Sequence, residues 1–143
     1  RVCNMIAGDE ARHEEAYKHF VGGLIQFDPP GALVAIARMF RTKIAMPALL
    51  MSDGSGSDLF GQFVAAAQRL GVYTTRDYAH IVEHLVAYWN ISSVSALSGE
   101  AAQAQEYLCT LAPRCFRFAE KHEHRLSRHQ PDASCRWVID RAA

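Results

Sequence analysis

Apolar side chains recur in the first part of the chain at the three- and four-residue spacings of an amphipathic helix. Over Val2–Phe27, residues at these spacings lie on one side of such a helix. The apolar members of this side are Ile6, Tyr17, Phe20 and Leu24, and the polar residues Glu10 and His13 lie among them. The pattern predicts that this face is buried. The helix should end at Asp28-Pro29-Pro30-Gly31, because proline lacks a backbone N–H and disfavours helix in the residue before it.

The same periodicity predicts three further helices in the middle of the chain. The second covers Ala32–Lys43, with Leu33, Ile36 and Phe40 along one side. The third begins at the N-cap Asp58 and ends at Leu70, because Gly71 favours helix termination. The fourth begins at Thr74 or Thr75 and continues to about Asn90. Its predicted inward side chains are Ile81, Leu85 and Tyr88 or Trp89.

The last third of the chain predicts two helices and a tail. A fifth helix covers Gly99–Thr110, and Pro113 suits the first turn of a sixth that ends near His129. From Pro131 onward the sequence predicts a short irregular or extended tail. No strand-like alternation competes with helix, so residues 1–143 are predicted to form a single all-α domain, a bundle whose short connections join antiparallel neighbours.

Composition excludes several classes of protein. Among the 143 residues, Lys plus Arg equals Asp plus Glu, so nothing indicates a nucleic-acid partner. No apolar run approaches the roughly 18 residues that a membrane-spanning helix needs. The four cysteines have no zinc-type spacing and are expected to be reduced thiols. The sequence begins at Arg1 inside a predicted helix, which indicates a fragment of a longer chain.

Metal chemistry is indicated by the pair Glu10 and His13 on the first helix. Residues three apart lie about one turn apart on the same side, so a carboxylate and an imidazole reach one ion together. This ligand set suits iron or manganese, and facing helices of a bundle build such sites. The alternative is a buried, hydrogen-bonded Glu–His pair without metal, since a buried carboxylate requires a partner of one kind or the other.

The remaining histidines and aromatic residues favour structural interpretations. His80 and His84 are four apart on a helix, but no third ligand is near in sequence, so metal binding is not expected there. The histidines of the charged run Glu120–Arg128, together with His129, are predicted to lie on a solvated helix face. The aromatic residues are expected in the core: Phe60, Phe63, Tyr73, Tyr78, Tyr88 and Trp89.

Several separated stretches resemble the plant acyl-carrier-protein desaturases, the soluble stearoyl-type enzymes, in the family's order. The stretch I-A-G-D-E-A-R-H-E-E-A-Y, Ile6–Tyr17, resembles the family's second Glu-x-x-His helix. The others are K-I-A-M-P-A-L-L-M-S-D-G (43–54), D-L-F-G-Q-F-V-A-A-A-Q-R-L-G-V-Y-T (58–74), D-Y-A-H-I-V-E-H-L-V (77–86), L-S-G-E-A-A-Q-A-Q-E-Y-L-C (97–109) and W-V-I-D-R (137–141). The likeness spans nearly the whole chain, which resembles the C-terminal part of the family's proteins.

The resemblance implies a ferritin-like di-iron bundle in which four helices hold two Fe2+ ions by two Glu-x-x-His pairs and two further glutamates. Glu10 and His13 match the second pair, so this chain would carry half of the site. Asp9 matches a residue that orients a histidine of the other pair; the alternative is an acid on an exposed helix face. The resemblance further implies a homodimer in the plastid (chloroplast) stroma.

The implied reaction is oxygen-dependent desaturation of a saturated acyl chain on acyl carrier protein, with electrons from ferredoxin, in fatty acid biosynthesis. Because the carrier is acidic, Arg38, Arg41 and Lys43 are candidates for its docking surface, although cations at a helix C-terminus also stabilise the helix itself. Thr42 and Gly61 stand where the family typically has a lysine and an acid, which bears on carrier recognition. The alternative function is a ferritin-like storage protein, or a non-catalytic, truncated di-iron fragment that serves as an interaction or structural domain.

Overall fold

A computed structural model describes residues 2–42, 50, 52, 54 and 58–128, the last three of these by their backbone alone. All of its regular secondary-structure elements are helices, which confirms the predicted all-α class for these residues. They are α1 (Val2–Phe27), α2 (Pro29–Arg41), α3 (Leu59–Leu70), α4 (Thr75–Tyr88) and α5 (Gly99–Arg128), with a 3-10 turn at Ile91–Ser93 between the last two. The predicted C-terminal tail lies outside the described residues.

Capping residues begin or end the helices at most of the predicted positions. The Asp28 carboxylate accepts a hydrogen bond from the Gly31 amide at 3.1 Å, so the Asp-Pro-Pro-Gly segment ends α1 and also begins α2. Asp58 caps α3 in the same way, and Gly71 ends α3 in the left-handed conformation at φ 64°, which glycine adopts without steric cost. Thr74 begins α4 through a reciprocal capping box.

The core lies where α2, α5 and the 3-10 turn meet. Its fully buried members are small or aliphatic side chains that interdigitate: Leu33, Ala37, Ile91, Ala104 and Leu108. Ile36 and Phe40 pack against them, so the predicted inward side of α2 is confirmed. No residue of α3 is buried, and Phe63 is 51% exposed. The prediction that Phe63 belongs to the core is therefore wrong within the described part of the chain, and so is that for Tyr73, which is 43% exposed.

The inward face of α4 differs from the prediction by one position. Ala79 and Val82 are buried, whereas Ile81 is 46% exposed. Trp89 is half-buried, while Tyr88 is 43% exposed. The physical reason is that α5 packs against the side of α4 that carries the smaller residues, because small side chains permit close approach of two helices.

The predicted fifth and sixth helices are one continuous helix, and the predicted break at Pro113 is wrong. Buried residues continue along one stripe of α5 on both sides of the proline: Ala101, Ala104, Leu108, Ala112 and Ala119. Because this single stripe packs against α2 and α4, its burial outweighs the cost of one missing hydrogen bond. Pro113 suits a first turn and is unfavourable by about 3 kcal/mol in a helix interior, a cost that the packing of this stripe offsets.

We expect Pro113→Ala to stabilise the chain by up to about 3 kcal/mol, because alanine restores the N–H that the Cys109 carbonyl lacks as a partner. Thermal or urea unfolding followed by circular dichroism measures the effect. Pro30→Ala is the matched control, because Pro30 lies in the first turn of α2, where an N–H has no helical partner. Equal effects at the two prolines would contradict the interpretation.

Candidate metal centre

Helix α1 packs on the rest of the chain through a different face from the predicted one. Ile25 is its buried residue, and Lys18 and Gly22 lie on the same side, at spacings of four and three. This side is about a third of a turn from the face of Glu10 and His13 at 100° per residue. The predicted face is exposed instead, with Ile6 54%, Tyr17 66%, Phe20 66% and Leu24 58% accessible.

The prediction that this face is buried within the chain is therefore wrong. None of the described helices buries it, because each of these four side chains remains more than half exposed. A stripe of isoleucine, tyrosine, phenylalanine and leucine in water loses the stabilisation of burial, about 25 cal/mol per Å² of apolar surface. Exposed apolar patches of this extent are typical of surfaces that another protein segment covers.

Glu10 and His13 are adjacent in the structure as their spacing predicts. The Nδ1 atom of His13 lies 3.4 Å from the Oε2 atom of Glu10. Both side chains are exposed, the imidazole 62% and the carboxylate 71%. The pair is thus exposed to water among the described residues, and its 3.4 Å contact is that of a long hydrogen bond or ion pair.

The donor atoms fit a metal ion. Two donors that each lie about 2.1 Å from one ion are about 3.0 Å apart at a right angle and about 3.4 Å apart at the tetrahedral angle. The observed separation of 3.4 Å thus requires no large rearrangement. A carboxylate with an imidazole suits iron. Two donors do not complete a coordination sphere, and the described residues contain no group of three or more His, Cys, Asp or Glu placed to hold a metal.

Asp9 is on α1 next to the ligand pair and forms an ion pair with Arg12. This contact occupies part of its carboxylate, which is 55% exposed. Its predicted role in orienting a further histidine stays a prediction, because no histidine of the described residues contacts it. Exchange of Arg12 for an imidazole N–H would keep the carboxylate paired.

The other histidines have structural surroundings. The ring of His80 meets Phe116 edge-on, with centroids 4.8 Å apart, and His84 lies beside Tyr88. His122 stacks on Phe118, and its Nδ1 atom is buried without a hydrogen-bond partner among the described residues. The expectation of a solvated face is thus wrong for His122, whereas His124 is exposed. His129 lies outside the described residues.

The cysteines within the described residues are free thiols, as expected. Cys3 is exposed, and Cys109 and Cys115 are half-buried. Burial raises the pKa of the Cys109 and Cys115 thiols, so both stay protonated at neutral pH and are poor nucleophiles. Cys135 lies outside the described residues.

The predicted carrier-binding residues occupy the end of α2. Arg38 and Arg41 are exposed in its last turn, and Lys43 lies outside the described residues. The Arg41 guanidinium stacks on the Tyr107 ring at 4.6 Å from the centroid, which fixes its plane while leaving N–H groups for an acceptor. Sequence patterns give no signal of Tyr107, because its partner is 66 positions away in the chain.

Two further tertiary contacts were not predicted. Arg76 binds Glu123 through two hydrogen bonds, Nε to Oε1 at 3.0 Å and Nη2 to Oε2 at 2.8 Å, and this contact lowers the pKa of Glu123. The Trp89 indole N–H donates to the Lys18 carbonyl oxygen at 3.0 Å. Both join residues that are far apart in the chain, and nothing in local sequence marks them.

Comparison with known proteins identifies the chain's relatives. The model of the family described as fatty acid desaturase matches residues 1–139. The seed-specific, chloroplastic stearoyl-[acyl-carrier-protein] 9-desaturase of Brassica napus is 49% identical over 141 residues, which is 99% of this chain and 35% of that protein. Chloroplastic stearoyl-[acyl-carrier-protein] 9-desaturases of Helianthus annuus and Oryza sativa subsp. japonica are 47% and 48% identical, over 99% of this chain and 35% and 36% of their lengths.

The chain thus spans about a third of the length of these relatives. The resemblance of the separated stretches is confirmed by this match, which extends through almost all of the chain. Among the described residues, no helix is both long and apolar enough to cross a membrane. With the matched region and the helical architecture together, the chain belongs to the fatty acid desaturase family.

Proposed function

We propose that this chain forms part of an acyl-[acyl-carrier-protein] desaturase and supplies half of its di-iron site. The proposed reaction removes two hydrogens from a saturated acyl chain on acyl carrier protein, with dioxygen as oxidant and electrons from ferredoxin. The observation that carries the proposal is the Glu10–His13 pair, with donors 3.4 Å apart, on a helix of a chain in this family. The proposed setting is the plastid stroma, since the relatives are named chloroplastic, and the proposed assembly is a homodimer.

In this proposal, Glu10 and His13 would hold iron and would contribute one carboxylate and one imidazole to the di-iron site. Reduced iron, when bound, supplies the activation of dioxygen. The helix backbone sets the separation of the two donors, because residues i and i+3 keep a fixed offset. Asp9 orients an imidazole from outside the described residues by accepting its second ring N–H, a contact that fixes the tautomer and plane of a ligand histidine.

The exposed apolar face of α1 supports this arrangement. Ile6, Tyr17, Phe20 and Leu24 flank the two ligands on both sides and remain in water here. Metal sites in helical bundles lie between facing helices, where apolar neighbours exclude water and limit access. A segment that covered this face with further carboxylates and an imidazole would complete the ligand set and bury the apolar stripe together.

The alternative is a non-catalytic di-iron fragment with an interaction or structural role. It is favoured by one observation, namely that the described residues offer no third ligand near Glu10 and His13. The two functions differ in what happens when the rest of a desaturase is present, because only the first predicts turnover.

A chimera tests the proposed function. This chain would replace the matching 35% of the Brassica napus relative, and the product would be assayed for oxygen-dependent desaturation of stearoyl-carrier protein with reduced ferredoxin. We expect turnover and two irons per subunit. A folded chimera that binds two irons but forms no unsaturated product would contradict the enzymatic proposal and favour the alternative.

Carrier docking gives a separate prediction. Reversing the charges by Arg38→Glu and Arg41→Glu in the chimera should weaken carrier binding on the order of tenfold at low salt, because charge complementarity sets encounter rate and orientation. The salt dependence of binding should also decrease. Titration of labelled carrier protein at several ionic strengths measures both, and iron content should not change.

Arg69→Glu is the matched control, because Arg69 also lies exposed in the last turn of a helix, α3. A contribution to the helix dipole alone would be similar at the two sites. If the doubly reversed variant binds the carrier as tightly as the parent, Arg38 and Arg41 lie on a solvated helix face and the docking surface is elsewhere.

A further inference from the structure

Helix α1 contacts the body of the chain through α2 and through a hydrogen bond near its own middle. The indole N–H of Trp89 donates to the backbone carbonyl oxygen of Lys18 at 3.0 Å, in a partly buried position. A helix carbonyl that already accepts its own helical hydrogen bond has a second lone pair for such a donor. Gly22 lies one turn further along α1, and a Cβ there would be 3.9 Å from the Cδ1 atom of Trp89.

The side chain of Lys18 is restrained by Tyr88, the residue that precedes Trp89. Its ammonium lies 4.8 Å from the centroid of the Tyr88 ring and forms ion pairs with Glu14 at 3.2 Å and Glu15 at 3.1 Å. Only 12% of the lysine side chain is exposed. Tyr88 and Trp89 therefore hold both the backbone and the side chain of a single residue of α1.

Trp89 is itself fixed at the end of α4. It is the C-cap residue of that helix, and its backbone N–H bonds to the Leu85 carbonyl oxygen at 3.1 Å. The indole donor is thus part of the α4–α5 body and not of a loose connection. Within the described residues, no other side-chain hydrogen bond joins α1 to this body. Ile25 is the one buried residue of α1.

We propose that Trp89 is a positioning residue for the metal ligands, an inference that rests on the proposed function of Glu10 and His13. A helix transmits rotation along its axis, because each residue is fixed at about 100° and 1.5 Å from the next. His13 is five residues before Lys18, so it lies about 7.5 Å along the axis from the contact. The hydrogen bond to Lys18 sets the rotation of α1 and thereby the direction in which the Glu10–His13 face points.

Trp89→Phe tests the inference, because it removes the N–H donor and keeps an aromatic ring. The measurements are amide hydrogen exchange and residual dipolar couplings of the 15N-labelled 143-residue chain without metal. Exchange over residues 15–25 should accelerate roughly threefold to tenfold, the effect of losing one hydrogen bond. The couplings of α1 should no longer fit the alignment shared by α2, α4 and α5, whose own couplings and exchange should not change.

Two further variants separate positioning from general stability. Tyr88→Phe keeps the ring beneath Lys18 and should leave the α1 couplings unchanged. Gly22→Leu places a side chain where the indole lies and should reproduce the α1-specific effect with Trp89 intact. The inference is overturned if the α1 couplings of Trp89→Phe fit the common alignment, or if all helices change together.

These outcomes do not depend on metal. Loss of the α1 alignment in Trp89→Phe would show that Trp89 orients α1 even if Glu10→Ala left the chimera active, in which case the ligand assignment, and with it the link from this orientation to metal, would fail. Conversely, an inactive Glu10→Ala chimera with unchanged α1 couplings in Trp89→Phe would overturn the positioning role and leave the proposed ligands in place.

Discussion

Alanine at Glu10 or at His13 is expected to abolish desaturation in the chimera, with at least a 100-fold loss of turnover. Changes to residues that merely orient a metal ligand typically cost about 10- to 100-fold, and these substitutions remove a donor atom itself. Glu10 and His13 present their donors 3.4 Å apart, so loss of either leaves a single donor from this chain. Turnover with stearoyl-carrier protein and iron content per subunit are the measurements.

His80→Ala and His84→Ala are the matched controls. Both histidines lie on a helix, and they are four apart, but their rings contact Phe116 and Tyr88 and no metal-binding group includes them among the described residues. We expect both variants to keep their iron and most of their turnover. Retained turnover of His13→Ala would refute the ligand assignment, whatever the controls do.

The 143-residue chain on its own is expected to bind fewer than two irons per molecule, and to bind them weakly. The family site implied by the resemblance has six ligands, whereas the described part of this chain offers the two exposed donors of Glu10 and His13. Exposed donors also compete with water for the ion, and each absent ligand removes a bond that would offset the loss of hydration.

Anaerobic titration with ferrous iron, followed by metal analysis after gel filtration, measures the stoichiometry. The chimera is the positive control, because the remaining ligands are then present. Glu10→Ala is the negative control and should abolish any weak binding that the chain retains. Tight binding of two irons by the chain alone would show that it completes a centre without further ligands and would contradict the half-site proposal.

Local sequence determined the helical segments and most of their ends. Helix ends are set by residues that bond to backbone groups a few positions away, namely Asp28, Asp58, Thr74 and Gly71. Because these contacts are local, the sequence alone is enough to predict them. The spacing of Glu10 and His13 belongs to the same class, because residues three apart on a helix are adjacent whatever else the chain does. The predicted pair is therefore present in the structure.

Tertiary packing decided which helix faces are covered and how the helices continue. Pro113 is a local signal for a new helix, yet the buried stripe of α5 carries the helix through it. The apolar periodicity of α1 predicts a buried face, but burial requires a second surface, and none of the described helices lies there. Periodicity states that a face is apolar and does not state what packs on it.

The direction of the candidate site was decided by contacts between residues far apart in the chain. Trp89 and Lys18 are 71 positions apart, and their hydrogen bond exists only because α4 and α1 are brought together. The sequence by itself determined that Glu10 and His13 stand side by side on one helix, since that follows from the geometry of a single turn. Their exposure and orientation were decided by the tertiary structure, because both depend on which other helices pack against α1.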